Sequence, residues 1–471
     1  MNRILNSKKL LIIIFLIFVF SFLYYFDLPR SHVDDIWFLD PAINLSEHGE
    51  LKAPRLKPFF SKFSSDFFFL AMPFYSYILG GWFKLFGLTT HSIISFQYII
   101  YLLNIILLFK WLRTKGLSFN ISAFSALIFM VQNLSFGFRP EPLGFCFMFA
   151  GLLMLQNCKM LNLFLGFFLL GVAVFTSHNA LAIAFSLTFF AVYVHYENSK
   201  LNPNLFKRVL TSFILSSLLI SLLFSFSINF SFYQFYEQIN WMIQNRSMEL
   251  GSALPYIFHD LLKYWNPYQF LPIYIIFLIV TIWLLYRNKI LARQTLLFLL
   301  SLVTSVGLHF LLRPGMYLIS LFLVWILILT FISIIKVPIE LRRFILIALT
   351  GLFLFQNSHL LLGLLCTDSI DRQSLELFEK NARSISENTK NIVVDDITAR
   401  YVFGFNYPPN TQAALMDITP PPSRNNIWIV SPYRTAHHFP EYNTSFEKFK
   451  LFGREFNLLS QNPYEIIVLG R

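Results

Sequence analysis

The stretch HSIISFQYIIYLLNIILLF, residues 91–109, contains no Asp, Glu, Lys or Arg. An uncharged apolar run of this length is typical of a helix that crosses about 30 Å of hydrocarbon. Comparable runs, some of them shorter, recur along most of the chain, so the sequence predicts a mainly α, polytopic membrane helix bundle with about eleven spans. The predicted spans are residues 10–26, 91–109, 119–136, 143–155, 161–176, 180–194, 209–228, 270–286, 295–312, 316–335 and 344–362.

Composition agrees with a membrane protein that carries one soluble domain. Of the 471 residues, 56% are hydrophobic and 13% are charged, whereas soluble domains contain about 25% charged residues. We predict a transmembrane domain over residues 1–362 and a small extracytoplasmic α/β domain over residues 363–471. In the second domain we expect a helix and four strands, the last two forming a pair. These are residues 374–387 for the helix and 391–395, 426–431, 445–451 and 464–469 for the strands.

The net charge of +12 is explained by membrane topology rather than by a nucleic-acid partner. If residues 67–86 form a broken surface helix and not a span, Lys and Arg fall mainly in the loops of one face, as the positive-inside rule requires. The opposite, outer face then receives the first loop, residues 27–90, and the polar C-terminal domain. We therefore expect an integral protein of a bacterial inner (plasma) membrane, with its active site on the extracytoplasmic side.

Acidic residues stand out on this outer face. Asp34 and Asp35 lie in SHVDDIWFLD, residues 31–40, directly after the first span, and Glu141 lies in GFRPEP, residues 137–142. A carboxylate at the membrane surface can accept a proton from a hydroxyl or amine that attacks a sugar carbon. These acids are our predicted catalytic residues, and together they would also suit a divalent metal ion as a cofactor, which the sequence does not require.

Cations accompany the acids on the same face. Arg139 precedes Glu141, Arg313 begins a tight Arg-Pro-Gly turn, and His178 follows the span at residues 161–176. Guanidinium groups bind phosphate oxygens through planar forks, so we predict that these residues contact a lipid phosphate.

Structural explanations for the same residues stay open. Asp34 and Asp35 suit the start of a helix, where the dipole favours acids. Arg139 and Glu141 would also fit an interfacial ion pair between two helices, and His178 or Arg313 could end a span without touching a ligand.

The first span, the acidic pair, the aromatic helix that ends in WFKLFG at residues 82–87 and the outer Arg-Pro-acid turn resemble the GT-C membrane glycosyltransferases. Among these, the sequence is most similar to the protein O-mannosyltransferase and lipid A aminoarabinose transferase group. The resemblance implies a polyprenyl-phosphate sugar donor, transfer on the non-cytoplasmic face and a first-loop acid that activates the acceptor. It also implies that Arg313 and Tyr317 face the donor phosphate. The chain departs from the group at AMPFYSY, residues 71–77, which lacks the basic residue that often precedes this segment.

We accordingly predict an inverting glycosyltransferase that moves a hexosyl or pentosyl group from polyprenyl phosphate to a lipid, glycan or protein acceptor. Two alternatives remain: a transporter or flippase of a lipid-linked saccharide, and a polymerase or ligase of a surface polysaccharide. Transporters hold ionisable residues near the bilayer midplane, whereas we expect the acids of this chain at the outer ends of the spans.

Overall fold

The computed structural model describes the membrane half of the chain most fully. The described residues are 16–17, 19–21, 23–25, 35–56, 67–114, 117–133, 137–177 and 203–246, together with the backbone of strands at 391–395, 411–414, 426–430, 448–451, 454–462 and 466–470. Within these ranges two helices, His91–Thr114 and Asn204–Ser227, are long and apolar enough to cross a membrane, and Glu141–Met154 and Met160–Thr176 are shorter apolar helices.

The described helices follow the apolar pattern of the sequence. They are α1 (Ile36–His48), α2 (Pro73–Phe86), α3 (Thr90–Thr114), α4 (Phe119–Asn133), α5 (Glu141–Met154), α6 (Met160–Thr176), α7 (Pro203–Ser227) and α8 (Phe232–Arg246). The spans predicted at residues 91–109, 119–136, 143–155, 161–176 and 209–228 correspond to α3 through α7. The first span, 10–26, is helical where it is described, and those at 180–194, 270–286, 295–312, 316–335 and 344–362 lie outside the described residues.

Residues 67–86 are only partly helical. Helix α2 begins at Pro73, because proline has no N–H to donate and its fixed φ suits the first helical position. Its 14 residues extend about 21 Å, which is shorter than the hydrocarbon core. The preceding residues are extended, with a bridge between Lys52 and Phe67. The helix is therefore shorter than the predicted 67–86 run, and its length agrees with the expectation that this region is not a full span.

Helices α1 and α2 pack closely against each other. A Cβ added at Gly80 would lie 2.9 Å from the carbonyl oxygen of Ala42 and 3.2 Å from a methyl carbon of Leu45. Only glycine permits this approach of two helices. Both helices share a hydrophobic core with the beginning of α3, which includes Leu39, Tyr75, Leu79 and Ile93, all fully buried.

Small residues also bring α5, α6 and α7 together. A Cβ at Gly151 would lie 2.8 Å from the Gly166 carbonyl oxygen, so α5 and α6 meet through backbone atoms, as membrane helices commonly do. On the other side of α6, the Ser212 and Ser216 hydroxyls donate to the carbonyls of Met160 and Phe164, at 3.3 and 2.7 Å. These pairs advance together along both helices, so α6 and α7 run parallel. Two parallel helices have to be connected by a segment that crosses back once, which agrees with the one span predicted between α6 and α7.

Several loops meet at one end of the bundle. The ring of Phe74 in α2 lies 5.9 Å from that of Phe175 at the end of α6. The Tyr77 hydroxyl donates to the Ser227 carbonyl at the end of α7. Helix α8 follows through Asn229 and Phe230, which both have positive φ. The first loop, the end of α6 and α8 therefore share one face, in agreement with the predicted topology.

The C-terminal strands form one mixed sheet with the order β2-β1-β3-β6-β5-β4. Its strands are β1 (Asn391–Asp395), β2 (Thr411–Ala414), β3 (Asn426–Val430), β4 (Lys448–Leu451), β5 (Arg454–Asn462) and β6 (Ile466–Gly470). The sequence missed β2 and β5. Because β5 lies between β4 and β6 and pairs with both, the predicted pairing of the last two strands was wrong. The predicted helix at 374–387 lies outside the described residues.

The sheet lies on the face that carries the first loop. Strand β2 contacts the short 3-10 helix Pro54–Leu56, which belongs to that loop. This contact places β2 next to the first loop.

Candidate active site at the junction of the first and second loops

Asp35 immediately precedes α1 but does not cap it. Its backbone is helical, with φ −63° and ψ −27°, and its side chain makes no capping hydrogen bond. Instead, Oδ2 accepts a hydrogen bond of 3.0 Å from the backbone N–H of Phe138, which is 103 residues away. The side chain is completely buried. Asp35 thus stands at the start of α1, as the structural explanation expected, and its carboxylate also joins two loops that are distant in sequence.

Arg139 and Glu141 form a buried ion pair. The guanidinium donates to Oε1 of Glu141 through Nε at 3.2 Å and through Nη2 at 3.0 Å. Arg139 is 8% exposed and Glu141 is 1% exposed. Glu141 is the first residue of α5, where the helix dipole also favours its charge. The ion pair that the sequence allowed is present, but it is buried rather than interfacial.

An aromatic ring supports the guanidinium. The Arg139 Cζ atom lies 5.2 Å from the centroid of the Phe38 ring in α1, within the range of a cation–π contact. The second loop is the GFRPEP turn at residues 137–142. Phe38 is one turn beyond Asp35, so the start of α1 and the residue before it present an aromatic face and a carboxylate to this loop.

The peptide groups of Phe138 are held from two directions. Asp35 accepts its N–H, and the Tyr75 hydroxyl of α2 donates to its carbonyl oxygen. The charges of Asp35 and Glu141 both act on the Tyr75 phenol, and the charge of Asp35 also acts on Tyr101 of α3. We call the group formed by Asp35, Tyr75, Arg139 and Glu141 around Phe138 the acid junction.

The acid junction lies beside the middle of α3. Asn104 donates from Nδ2 to the Pro142 carbonyl at 2.7 Å, and Tyr101 lies near Asp35. Both residues are about 16 to 21 Å along α3 from Thr90. The beginning of α3 lies beside the end of the first span, where the rings of Tyr24 and His91 are 6.0 Å apart. The acid junction is therefore recessed along α3, although Glu141 begins its own helix, as expected.

The short length of α5 explains this depth. Helix α5 has 14 residues and runs parallel to α3, with Asn104 beside Pro142 and Trp111 beside Phe149. Since α3 has 25 residues, α5 begins level with its central turns. Glu141 is at the end of its own helix and near the middle of its neighbour.

No protein-family sequence model matches the chain, and no curated protein matches it. Its structure, however, is similar to the crystal structure of ArnT from Cupriavidus metallidurans bound to undecaprenyl phosphate. The TM-score is 0.55 and the sequence identity is 12%, over 97% of each chain. The apo form of the same protein matches with a TM-score of 0.52 and 12% identity over 98% of each chain. The chain has the ArnT fold. This is a polytopic membrane helix fold, as the sequence predicted.

Three of the predicted site residues lie together within this ArnT fold. The structure brings Asp35, Arg139 and Glu141 to the acid junction. The other predicted site residues lie outside the described part of the chain, and their placement stays a prediction: Asp34, His178, Arg313 and Tyr317.

The predicted divalent-metal site also stays a prediction, because Asp34 is one of its three proposed ligands. Among the described residues, no group of three or more His, Cys, Asp or Glu side chains is arranged to hold a metal ion.

The sequence analysis missed the aromatic and amide side chains of the site. Gln97, Tyr101 and Asn104 are buried polar residues on one face of an otherwise apolar helix. Their spacing of four and then three residues places them on the same side of α3. Polar residues within a span usually face the bundle interior and mark function, so this spacing was the available signal. Tyr75 gave no such signal, because its role depends on the position of Phe138.

Proposed function

We propose that this protein transfers a sugar from a polyprenyl-phosphate donor to an acceptor at the extracytoplasmic face of the membrane. The ArnT fold over 97% of the chain supports a lipid-phosphate donor, since the matching ArnT structure is bound to undecaprenyl phosphate. The observation that carries the proposal is the hydrogen bond from Phe138 N–H to Asp35. It joins the first-loop acid to the second-loop Arg-Pro-Glu turn inside a membrane bundle.

The two first-loop acids have different roles in this proposal. Asp35 is fully buried and its carboxylate is bonded to Phe138, so it orients the two loops. A general base must lie within hydrogen-bond reach of the proton that it removes. We therefore assign the base to its neighbour Asp34.

The reaction forms one bond and breaks another at the anomeric carbon. The acceptor hydroxyl or amine gives its proton to Asp34 as its oxygen or nitrogen attacks from the face opposite the leaving group. The bond between the anomeric carbon and the phosphate oxygen breaks, and polyprenyl phosphate departs with the electron pair. Cations that hold the phosphate stabilise the charge that develops on this oxygen.

The donor phosphate is assigned to Arg313 and Tyr317, with His178 as a further contact. Arg139 was also a candidate, but its guanidinium bonds to the buried Glu141 and lies over Phe38. A guanidinium in this arrangement is suited to fixing the second-loop turn against the first residue of α5. We assign Arg139 this positioning role instead of direct phosphate binding.

Replacement of the two acids separately tests the assignment. We expect Asp34→Asn to lower the rate of sugar transfer from a polyprenyl-phosphate donor by about 10²- to 10⁴-fold, the usual contribution of a general base. Asp35→Asn keeps an oxygen that can accept the Phe138 N–H, so a substantial fraction of the activity should remain. The exposed acid Glu47, changed to Gln, is the matched control and should behave as wild type.

If Asp35→Asn lowered the rate of sugar transfer more than Asp34→Asn, the general base would be Asp35. Full activity in both variants would remove the proposed function, provided that membrane insertion and thermal stability are unchanged.

A transporter or flippase of a lipid-linked saccharide is the second candidate. One observation favours it, because the acid junction lies beside the middle of α3, and transporters hold ionisable residues at such depths. Movement of a labelled polyprenyl-linked sugar across proteoliposomes, without transfer to any acceptor, would support this alternative over the transferase.

A further inference from the structure

Gln238 of α8 binds the backbone of the first loop with both ends of its side-chain amide. Its Oε1 accepts a hydrogen bond of 2.8 Å from the Phe69 N–H, and its Nε2 donates to the Phe67 carbonyl at 2.7 Å. The side chain is 1% exposed, and 169 residues separate it from Phe69. Gln238 thus joins α8 to the first loop through a buried side chain.

The amide takes the place of a neighbouring β-strand. In a parallel ladder, one residue bonds to the carbonyl before and the N–H after the residue that it faces. Gln238 makes this pair of bonds around Phe68. On the other edge, the Phe68 N–H donates to the Leu51 carbonyl at 3.1 Å. The extended segment 67–69 is therefore held on both sides, with α8 supplying one side through a side chain.

This segment leads directly into the acid junction. Pro73 begins α2 four residues after Phe69, and the Tyr75 hydroxyl then binds the Phe138 carbonyl. The Phe68 ring also lies 6.4 Å from that of Trp37, two residues beyond Asp35. A shift of the segment would therefore be transmitted to the Phe138 peptide through α2, and to α1 through Trp37.

Aromatic side chains fix α8 on the segment. The ring of Phe235 lies 6.0 Å from Phe69 and 5.0 Å from Phe224 of α7. Trp241, near the end of α8, packs against the core formed by α1, α2 and the beginning of α3. These contacts hold the helix near the segment, while Gln238 supplies its hydrogen bonds to the segment's backbone.

We propose that Gln238 is a positioning residue for the acid junction. It couples α8 to the Phe138 peptide through segment 67–69 and Tyr75, and so sets the distance between Asp35 and the second loop. The proposal rests on the glycosyl-transfer function only for its effect on rate. The planar amide of Gln offers a donor and an acceptor on two separate atoms without a charge, and the amide of Asn is set closer to the backbone by one methylene.

Two substitutions of Gln238 test the proposal in the full-length protein. Gln238→Leu removes both hydrogen bonds at nearly constant volume. We expect kcat for sugar transfer to fall about 10- to 100-fold, as a displacement of about 1 Å does at other active sites, while KM for the lipid donor stays close to wild type. The exposed Gln244 of the same helix, changed to Leu, is the matched control.

Gln238→Glu should recover kcat at low pH, which would not happen if Gln238 only filled space. A protonated carboxyl group has one donor and one acceptor, as the amide has, whereas the carboxylate only accepts. The ratio of variant to wild-type kcat should therefore rise as the pH falls. For Gln238→Leu the same ratio should stay flat.

Hydrogen exchange separates this proposal from the proposed function. Gln238→Leu should increase amide exchange in peptides that cover residues 67–72 and also in those that cover 137–141, whatever reaction the protein catalyses. Faster exchange only in 67–72, with wild-type kcat, would overturn the coupling and leave the transferase intact. Faster exchange in both regions of a protein that transfers no sugar would overturn the function and leave the coupling intact.

Discussion

The acid junction and the contact between α5, α6 and α7 are both buried, but opposite kinds of residue build them. The junction unites a carboxylate, a phenol and an ion pair from three distant segments. The helix contact consists of glycines at backbone distance and serine hydroxyls on neighbouring carbonyls. Burying an ion pair stabilises a protein little compared with apolar residues of equal volume. The charges at the junction are therefore better explained by function, and the glycine contact by stability.

The largest expected effect comes from breaking the ion pair on one side. Arg139→Met removes the guanidinium partner of Glu141, which is 1% exposed. We expect a loss of about 3–5 kcal/mol in the free energy of unfolding, because the carboxylate keeps its desolvation cost and loses its partner. Equilibrium unfolding in mixed micelles measures this loss of stability. A transfer assay measures the accompanying loss of sugar transfer.

The double variant Arg139→Met/Glu141→Leu separates stability from function at this site. It removes both charges, so most of the lost stability should return while sugar transfer stays absent. Recovery of transfer in the double variant would show that the pair is structural, and the contrast between the two regions would no longer hold.

A smaller effect is expected at the glycine contact. Gly151→Ala places a Cβ 2.8 Å from the Gly166 carbonyl oxygen, a backbone atom that cannot rotate away. We expect a loss of about 1–3 kcal/mol from overpacking, with transfer per folded molecule close to wild type.

Gly81→Ala is the control for this substitution. No atom lies within 4 Å of its added Cβ, so the change should be neutral or stabilise α2 by about 0.5–1 kcal/mol. Equal losses in both variants would mean that the close approach of α5 to α6 does not determine the result.

Local patterns carried most of what the sequence predicted. Uncharged apolar runs located helices α3 to α7, because a span has to avoid charge along its whole length. The strand at Asn391–Asp395 has the predicted bounds, since a short run rich in Val and Ile between polar residues is a strong local signal. Asp35 and Glu141 were identified because acids are rare in this chain.

Contacts between distant segments were the part that the sequence could not supply. Whether Asp35 caps α1 or binds Phe138 depends on how α1 packs against the second loop, 103 residues further on. The depth of the acid junction depends on where α5 begins along α3. Gln238 appears in the sequence as one of several amides in an aromatic loop, and only its position beside segment 67–69 distinguishes it from Gln244.

The smallest expected effect is at the serine contacts between α6 and α7. Ser216→Ala removes a hydrogen bond of 2.7 Å to the Phe164 carbonyl. Interhelical hydrogen bonds of this kind contribute about 0.6 kcal/mol on average in membrane proteins, so unfolding in mixed micelles should shift by that amount and transfer should not change. Ser225→Ala is the control, because the Ser225 hydroxyl is exposed and binds only within its own helix, at Ser221. If Ser216→Ala instead cost as much as Gly151→Ala, the hydroxyls would have to hold α6 and α7 together as strongly as close packing holds α5 to α6. Polar groups would then contribute strongly to stability in the helix contact as well as in the acid junction. Buried polar groups would therefore no longer distinguish the functional site from the structural contact.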